Sequence, residues 1–220
     1  MSWAVERHVE DAATFHAREL PDEPARSVWV CDPTGAALVL GSAQRGTVAD
    51  AEACARAGVA VVRRRSGGGA VLVEPSGLLW VDVVVPAGDA LWQDDVGQAF
   101  VWLGDVWRSA LADLGVPAAV HRGGLVRGRW SDLVCFAGLG PGELTAPGGA
   151  KVVGMSQRRT RAAARFQCAA LLRWDPGALL ALLAVSDRDR AEAATDLAGA
   201  AAGLAVEPQP LLAALLRHLP

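Results

Sequence analysis

A chain of 220 residues, 52% hydrophobic and 20% charged, is long enough to bury a sizeable core and too apolar to be disordered. Its net charge of −3 supplies no global field toward nucleic acid or a membrane, and neither is expected as a partner. Cys31, Cys54, Cys135 and Cys168 form no CxxC pair and the N-terminus lacks a signal-peptide layout, so a reducing cytoplasm is the expected setting.

In chain order the sequence reads as mixed α and β. Residues 5–19 carry a loose helical pattern with His8 and His16, broken at Pro21–Pro24. Both histidines read as surface residues without partners at ligand spacing, so no metal site is expected. Residues 27–31 and 37–41 read as strands joined by a tight turn at 32–35, and Val48–Ala57 as a helix closed by Gly58, with Cys54 in the core. Val59–Val62 is a short strand running into Arg63-Arg64-Arg65-Ser66-Gly67-Gly68-Gly69-Ala70. Consecutive glycines let a backbone press on a ligand and aim amide N–H groups at an anion, and neighbouring arginines add bidentate contacts. The loop is neither a Walker motif nor a dinucleotide fingerprint, and a flexible turn between hairpin strands has the same spacing.

Residues 78–85 read as a strand. From Asp94 to Leu114 apolar residues recur at three and four, the pattern of an amphipathic helix on a sheet. Residues 118–121 and 133–136 read as strands, the latter before a Gly/Pro turn at 137–150 that carries Glu143. An apolar step at 151–153 leads into an arginine-rich loop, and 166–172 resumes a strand. Three Ala/Leu-rich helices near 176–185, 188–203 and 210–218 form a tail without evident chemistry; 176–185 is too short to span a bilayer.

Lys151 is the only lysine in the chain. A sequence that uses arginine for every other basic side chain keeps here a compact ammonium with three rotatable donors, which a planar guanidinium replaces poorly. Its setting, Gly148-Gly149-Ala150-Lys151-Val152-Val153-Gly154-Met155-Ser156-Gln157-Arg158, suggests a site.

At these residues a family resemblance emerges. Arg63-Arg64-x-Ser66-Gly67-Gly68-Gly69-Ala70-Val71 is similar to a signature of lipoate–protein ligase A and the octanoyltransferases, in the biotin/lipoate protein ligase superfamily. Lys151-x-x-Gly154-x-x-Gln157-Arg158 resembles their second signature, about 80 residues later, and Gly41-x-x-Gln44 resembles the family's first polar strand end. The resemblance implies an α+β fold, a mixed, largely antiparallel sheet flanked by helices, over residues 1–175, with 176–220 a helical extension packed on it. It implies a sheet cradling a medium-chain acyl group. Arg64, Ser66, Gly67, Gly68, Gly69 and Ala70, with Gly154 and Gln157, would bind the acyl group and an acyl-adenylate. Lys151 would point at the acyl carbonyl and stabilise its developing charge.

Two readings of the reaction follow from the resemblance. A ligase would use ATP with Mg2+ and free lipoate or octanoate to acylate a lysine of a lipoyl-domain protein. A transferase would take octanoyl from an acyl carrier protein without a cofactor. Cys135-Phe136, six residues and Glu143-Leu144 resemble a segment of one octanoyltransferase class whose cysteine is the nucleophile. Cys135 near an ammonium has a setting that favours thiolate chemistry, although buried structural cysteines are common. Cys168 is the rival nucleophile, with strand neighbours that favour a core role. Val73-Glu74 stands where the family commonly has His-Asp, which opens a third reading, a catalytically silent acyl-binding member. Biotin is disfavoured because the Arg-Arg-x-Ser-Gly-Gly-Gly form is the lipoate-type variant.

Overall fold

The computed structural model describes residues 2–220, Met1 standing outside the described residues. It is α+β, with four layers in the order helices, large sheet, small sheet, helices. The large sheet contains β1 (Ala4–Glu10), β2 (Ser27–Pro33), β6 (Leu78–Pro86), β7 (Ala119–Val120), β8 (Leu144–Thr145), β9 (Lys151–Arg159) and β10 (Ala163–Leu171), in the order β1-β2-β6-β10-β9-β8-β7. Only its β1–β2 pair is parallel. The small sheet is β4 (Ala60–Arg63), β3 (Ala37–Leu40) and β5 (Val71–Val73), in that order.

Strand alternation sorts the two faces of the large sheet. Leu79, Val81, Val83 and Val85 of β6 and Ala164, Phe166, Cys168 and Ala170 of β10 lie under the helices α3 (Val101–Asp113) and α6 (Pro208–His218). The opposite face carries Trp80 and Leu171, which pack with Val39, Val62 and Val73 of the small sheet and with Phe15 of α1 (Ala12–Ala17). The far side of the small sheet, Leu38 and Leu40, is covered by α2 (Ala51–Arg56), α4 (Pro176–Leu180) and α5 (Asp187–Leu197).

Five local expectations need correction, one of them His16, which reads as a surface residue but is buried in α1 against Trp80. Residues 5–19 are not one helix: Ala4–Glu10 is an edge strand and only Ala12–Ala17 is helical. Val5 and Val9 are exposed, so β1 has no buried face to impose an alternating pattern. The helix expected from Asp94 begins at Val101, after a short 3₁₀ turn. Leu133–Phe136 is apolar because it packs against Ala70, and Cys135–Ala137 is a 3₁₀ turn instead of a strand. The arginine-rich loop after Lys151 is instead strand through Arg159, paired along β10.

Candidate functional site

Two cavities meet near the start of β9. The first, a narrow slot, lies between the two sheets and is mainly apolar, lined by Val39, Val71 and Val73 from the small sheet and by Leu78, Trp80, Gly154 and Ala169 from the large one. The paired small residues Gly154 and Ala169 leave the trough open where neighbouring rows carry bulk. The second is a wider, open and more polar cleft, lined by Gly67, Gly68, Gly69, Arg127, Asp132, Glu143, Lys151 and Gln157. Cys135, Met155 and Ser156 line both.

The glycine loop is braced from within. Arg64, 4% exposed, donates from Nη2 to the carbonyls of Gly67 at 2.7 Å and Gly69 at 2.9 Å, and from Nη1 to that of Val39 at 3.3 Å. Its guanidinium is therefore largely spent on shaping the loop, though it also lines the apolar cavity. Ser66 Oγ donates to Gln167 Oε1 at 2.7 Å and lies 2.9 Å from Ser156 Oγ, tying the loop to β9 and β10. No N–H of Gly67, Gly68 or Gly69 donates to another protein group among the described residues. The three glycines line an open cleft, a setting suited to an anion. Gln157 adds an amide whose Nε2 and Oε1 are both buried without a protein partner.

Ala70 joins the loop to the Cys135 segment: its N–H donates to the Leu133 carbonyl at 2.8 Å and its own carbonyl accepts from the Cys135 N–H at 3.0 Å. Gln44 holds the same segment from the other side. Its Oε1 accepts from the Gly41 N–H, and its Nε2 donates to the carbonyls of Asp132 and Leu133, so Gln44 acts as an internal clamp. Cys135 is partly exposed, its Sγ 3.9 Å from Arg64 Nη2. Cys168 is buried, and burial pushes its thiol well above the ordinary range, a setting that disfavours a nucleophilic thiolate.

Lys151 is 3% exposed. Its Nζ lies 2.7 Å from Glu143 Oε2 and donates to the carbonyls of Cys135 at 3.2 Å and Gly138 at 3.1 Å, beneath the Phe136 ring at 4.9 Å. A Cβ on Gly154 would stand 2.9 Å from Phe136 Cζ and 3.2 Å from Lys151 Cε, which explains a glycine three residues after the lysine. The Lys151 backbone is held by the tail: its N–H donates to Ala200 and its carbonyl accepts from Ala202. The contact with Glu143 was not foreseen from sequence; a lone lysine with an acidic residue eight positions earlier was the available signal.

Beneath the loop runs a buried polar chain. Arg165 pairs with Asp82 at 2.5 Å; Gln167 Nε2 lies 3.1 Å from His16 Nδ1 and donates to Asp82 Oδ2 at 3.4 Å. Burial raises the Asp82 carboxyl against the pull of Arg165. Burial, with the charges of Arg165 and Arg64, holds the His16 imidazole down at about 3. Val73 faces the apolar cavity, while Glu74 points away from it toward Arg173, 3.7 Å off.

An apolar slot between two sheets that opens onto an anion-suited glycine loop and a buried ammonium defines a class of acyl-handling enzymes. The family model for the lipoyl protein ligase A/B catalytic domain matches residues 3–204, and the chain belongs to that family. It is an enzyme of the ligase or acyltransferase kind. No curated protein matches the sequence. Among solved structures, a bi-partite lipoate protein ligase from Thermoplasma acidophilum, described with its E2 lipoyl domain, is similar with a TM-score of 0.76 at 19% identity, over 99% of this chain and 82% of that one. A lipoate-protein ligase A bound with ATP gives 0.70 at 19%, covering 99% and 84%. P. falciparum LipL1 in complex with lipoate gives 0.69 at 11%, covering 99% and 61%. At these identities the likenesses establish the shared fold. No helix among the described residues is long and apolar enough to cross a membrane.

Proposed function

We propose that this enzyme attaches a lipoyl or octanoyl group, through an activated acyl intermediate, to a lysine of a lipoyl-domain protein. The observation that carries the reading is the meeting of the two cavities at Cys135, Met155 and Ser156: there an apolar slot for the chain opens into the cleft lined by the glycine loop and Lys151. The acceptor amine attacks the acyl carbonyl carbon and a C–N bond forms. The bond to the activating group breaks and the amine gives up a proton. Charge developing on the carbonyl oxygen is stabilised by Lys151.

The ligase route is the principal reading. The partnerless amides of Gly67–Gly69 and Gln157 suit the phosphates of ATP; the Asp132 carboxylate in the cleft is exposed and paired with Arg127 at 3.0 Å, so Mg2+ would be held chiefly by those phosphates. One observation favours a transferase route as second reading. Cys135 Sγ borders both cavities, placed to accept an octanoyl group from an acyl carrier protein as a thioester, with Arg64 beside it. In either route the tail 176–220 is part of the catalytic unit, since Ala200 and Ala202 hold the Lys151 backbone. Incubating an apo lipoyl domain with the enzyme and each acyl donor in turn, read by intact mass, tests the reading.

A further inference from the structure

We propose that Glu143 is the positioning residue of Lys151, fixing where the ammonium meets the acyl carbonyl without itself touching the substrate. The inference rests on the acyl-transfer reading above. Glu143 is 4% exposed, and each carboxylate oxygen has a designated donor. Oε1 accepts from the Met155 N–H at 2.9 Å; Oε2 accepts from the Gly140 N–H at 2.6 Å and faces Lys151 Nζ at 2.7 Å. Met155 stands on the strand that Lys151 begins, so the carboxylate is referenced to the lysine's own strand.

The turn that carries Glu143 is equally constrained. Its carbonyl accepts from the His121 N–H at 2.9 Å, and the Gly142 N–H donates to the His121 carbonyl at 2.7 Å. A Cβ on Gly142 would fall 2.5 Å from Phe100 Cβ, so the turn presses directly on the residue that caps the N-terminus of α3. Helix, turn, carboxylate and ammonium thus form one rigid chain of contacts. An ammonium this buried without a counter-charge is strongly penalised, whereas a hydrogen-bonded carboxylate at contact distance offsets that penalty.

The contacts also assign roles to the three ammonium donors. One is directed at Glu143, and the other two reach the carbonyls of Cys135 and Gly138 at distances at least 0.4 Å longer (3.1 − 2.7 Å). An incoming acyl oxygen takes the place of one carbonyl while the Glu143 contact persists. A neutral residue at 143 leaves the lysine free to swing toward the carbonyls.

Because Lys151 is the only lysine, amine-selective acetylation followed by peptide mass reads its titration directly, whether or not the enzyme turns over. Glu143→Gln and Glu143→Asp are compared with wild type from about pH 6 to about pH 10, with near-ultraviolet circular dichroism reporting the fold. For Glu143→Gln the labelling curve moves to lower pH, the direction expected when a buried ammonium loses its counter-charge. Its kcat for acylating a lipoyl domain falls by about a hundredfold, with KM for the acyl donor within about threefold. Glu143→Asp keeps the charge, so its labelling curve stays near that of wild type and it recovers about tenfold of the lost kcat. Superimposed labelling curves for wild type and Glu143→Gln would overturn the proposal, as would an unchanged kcat. A wild type that acylates no acceptor would instead fail the underlying reading, and removes the catalytic role even if the labelling shift is found.

Discussion

A Cβ added to Gly69 would lie 2.6 Å from the backbone carbonyl carbon of Val134, so the glycine loop and the segment bearing Cys135 meet backbone to backbone. The hydrogen bonds through Ala70 run beside this contact and depend on it. Gly69→Ala forces the two segments apart, at about 1–3 kcal/mol or more in stability. Transfer activity should fall by at least about tenfold even at temperatures where the variant is folded, which thermal denaturation together with a single-turnover assay checks.

Lys151→Arg keeps the positive charge in a site shaped for an ammonium. The Glu143 carboxylate, two carbonyls and the Phe136 ring close around Nζ, and Gly154 has no side chain because Lys151 Cε and Phe136 fill that space. A planar guanidinium needs more room and directs its donors differently. Loss of about a hundredfold or more in kcat is expected. Full activity in this variant would show that charge alone suffices.

Cys135→Ser separates the two routes. If ATP activates the acyl group, the variant should keep activity within about threefold, because serine preserves the backbone contacts of Cys135 to Ala70 and Lys151. If the thiol carries the acyl group, the variant should lose transfer from octanoyl carrier protein by about a thousandfold, and wild type should accumulate a hydroxylamine-labile acyl adduct.

The buried chain beneath the loop sets an acid limit. His16 is held down at about 3, so between its unfolded value of about 6.5 and that point the unfolded chain binds a proton the native state refuses. Stability from this group is therefore fully present above about pH 6.5 and is lost as pH falls, by at most roughly 5 kcal/mol. Asp82, raised by burial, works in the opposite sense, so the comparison must isolate the histidine. The Tm advantage of wild type over His16→Gln should shrink steadily from about pH 7.5 to about pH 5. Parallel curves would remove His16 from the account.

Motif residues were legible in the sequence to the extent that their chemistry is local. Three consecutive glycines after Arg64 announce a close backbone approach, and a single lysine among arginines announces a site, because both depend on residue type alone. What Arg64 and Gln44 do was not legible. The bonds of Gln44 to Asp132 and Leu133 appear only once segments at least 88 positions apart are brought together, and Arg64 turns back onto Gly67 and Gly69 through a loop conformation that residue type alone does not announce. The edge strand Ala4–Glu10 was read as helix because both of its faces meet solvent over much of its length, which erases the alternation that marks a strand. The polar half of β9 looks like a loop for a related reason: Ser156 to Arg159 are only half-buried, so no core face imposes an apolar alternation on them.

The most direct test of the account is the intact mass of an apo lipoyl domain after incubation with the enzyme, once with ATP, Mg2+ and lipoate and once with octanoyl carrier protein. The account predicts gain of one lipoyl or octanoyl group under at least one condition, on the lipoyl-domain lysine, and a gain at least about a hundredfold slower when Lys151→Arg replaces the wild type. An acceptor of unchanged mass under both conditions, from a protein shown to be folded, would contradict it.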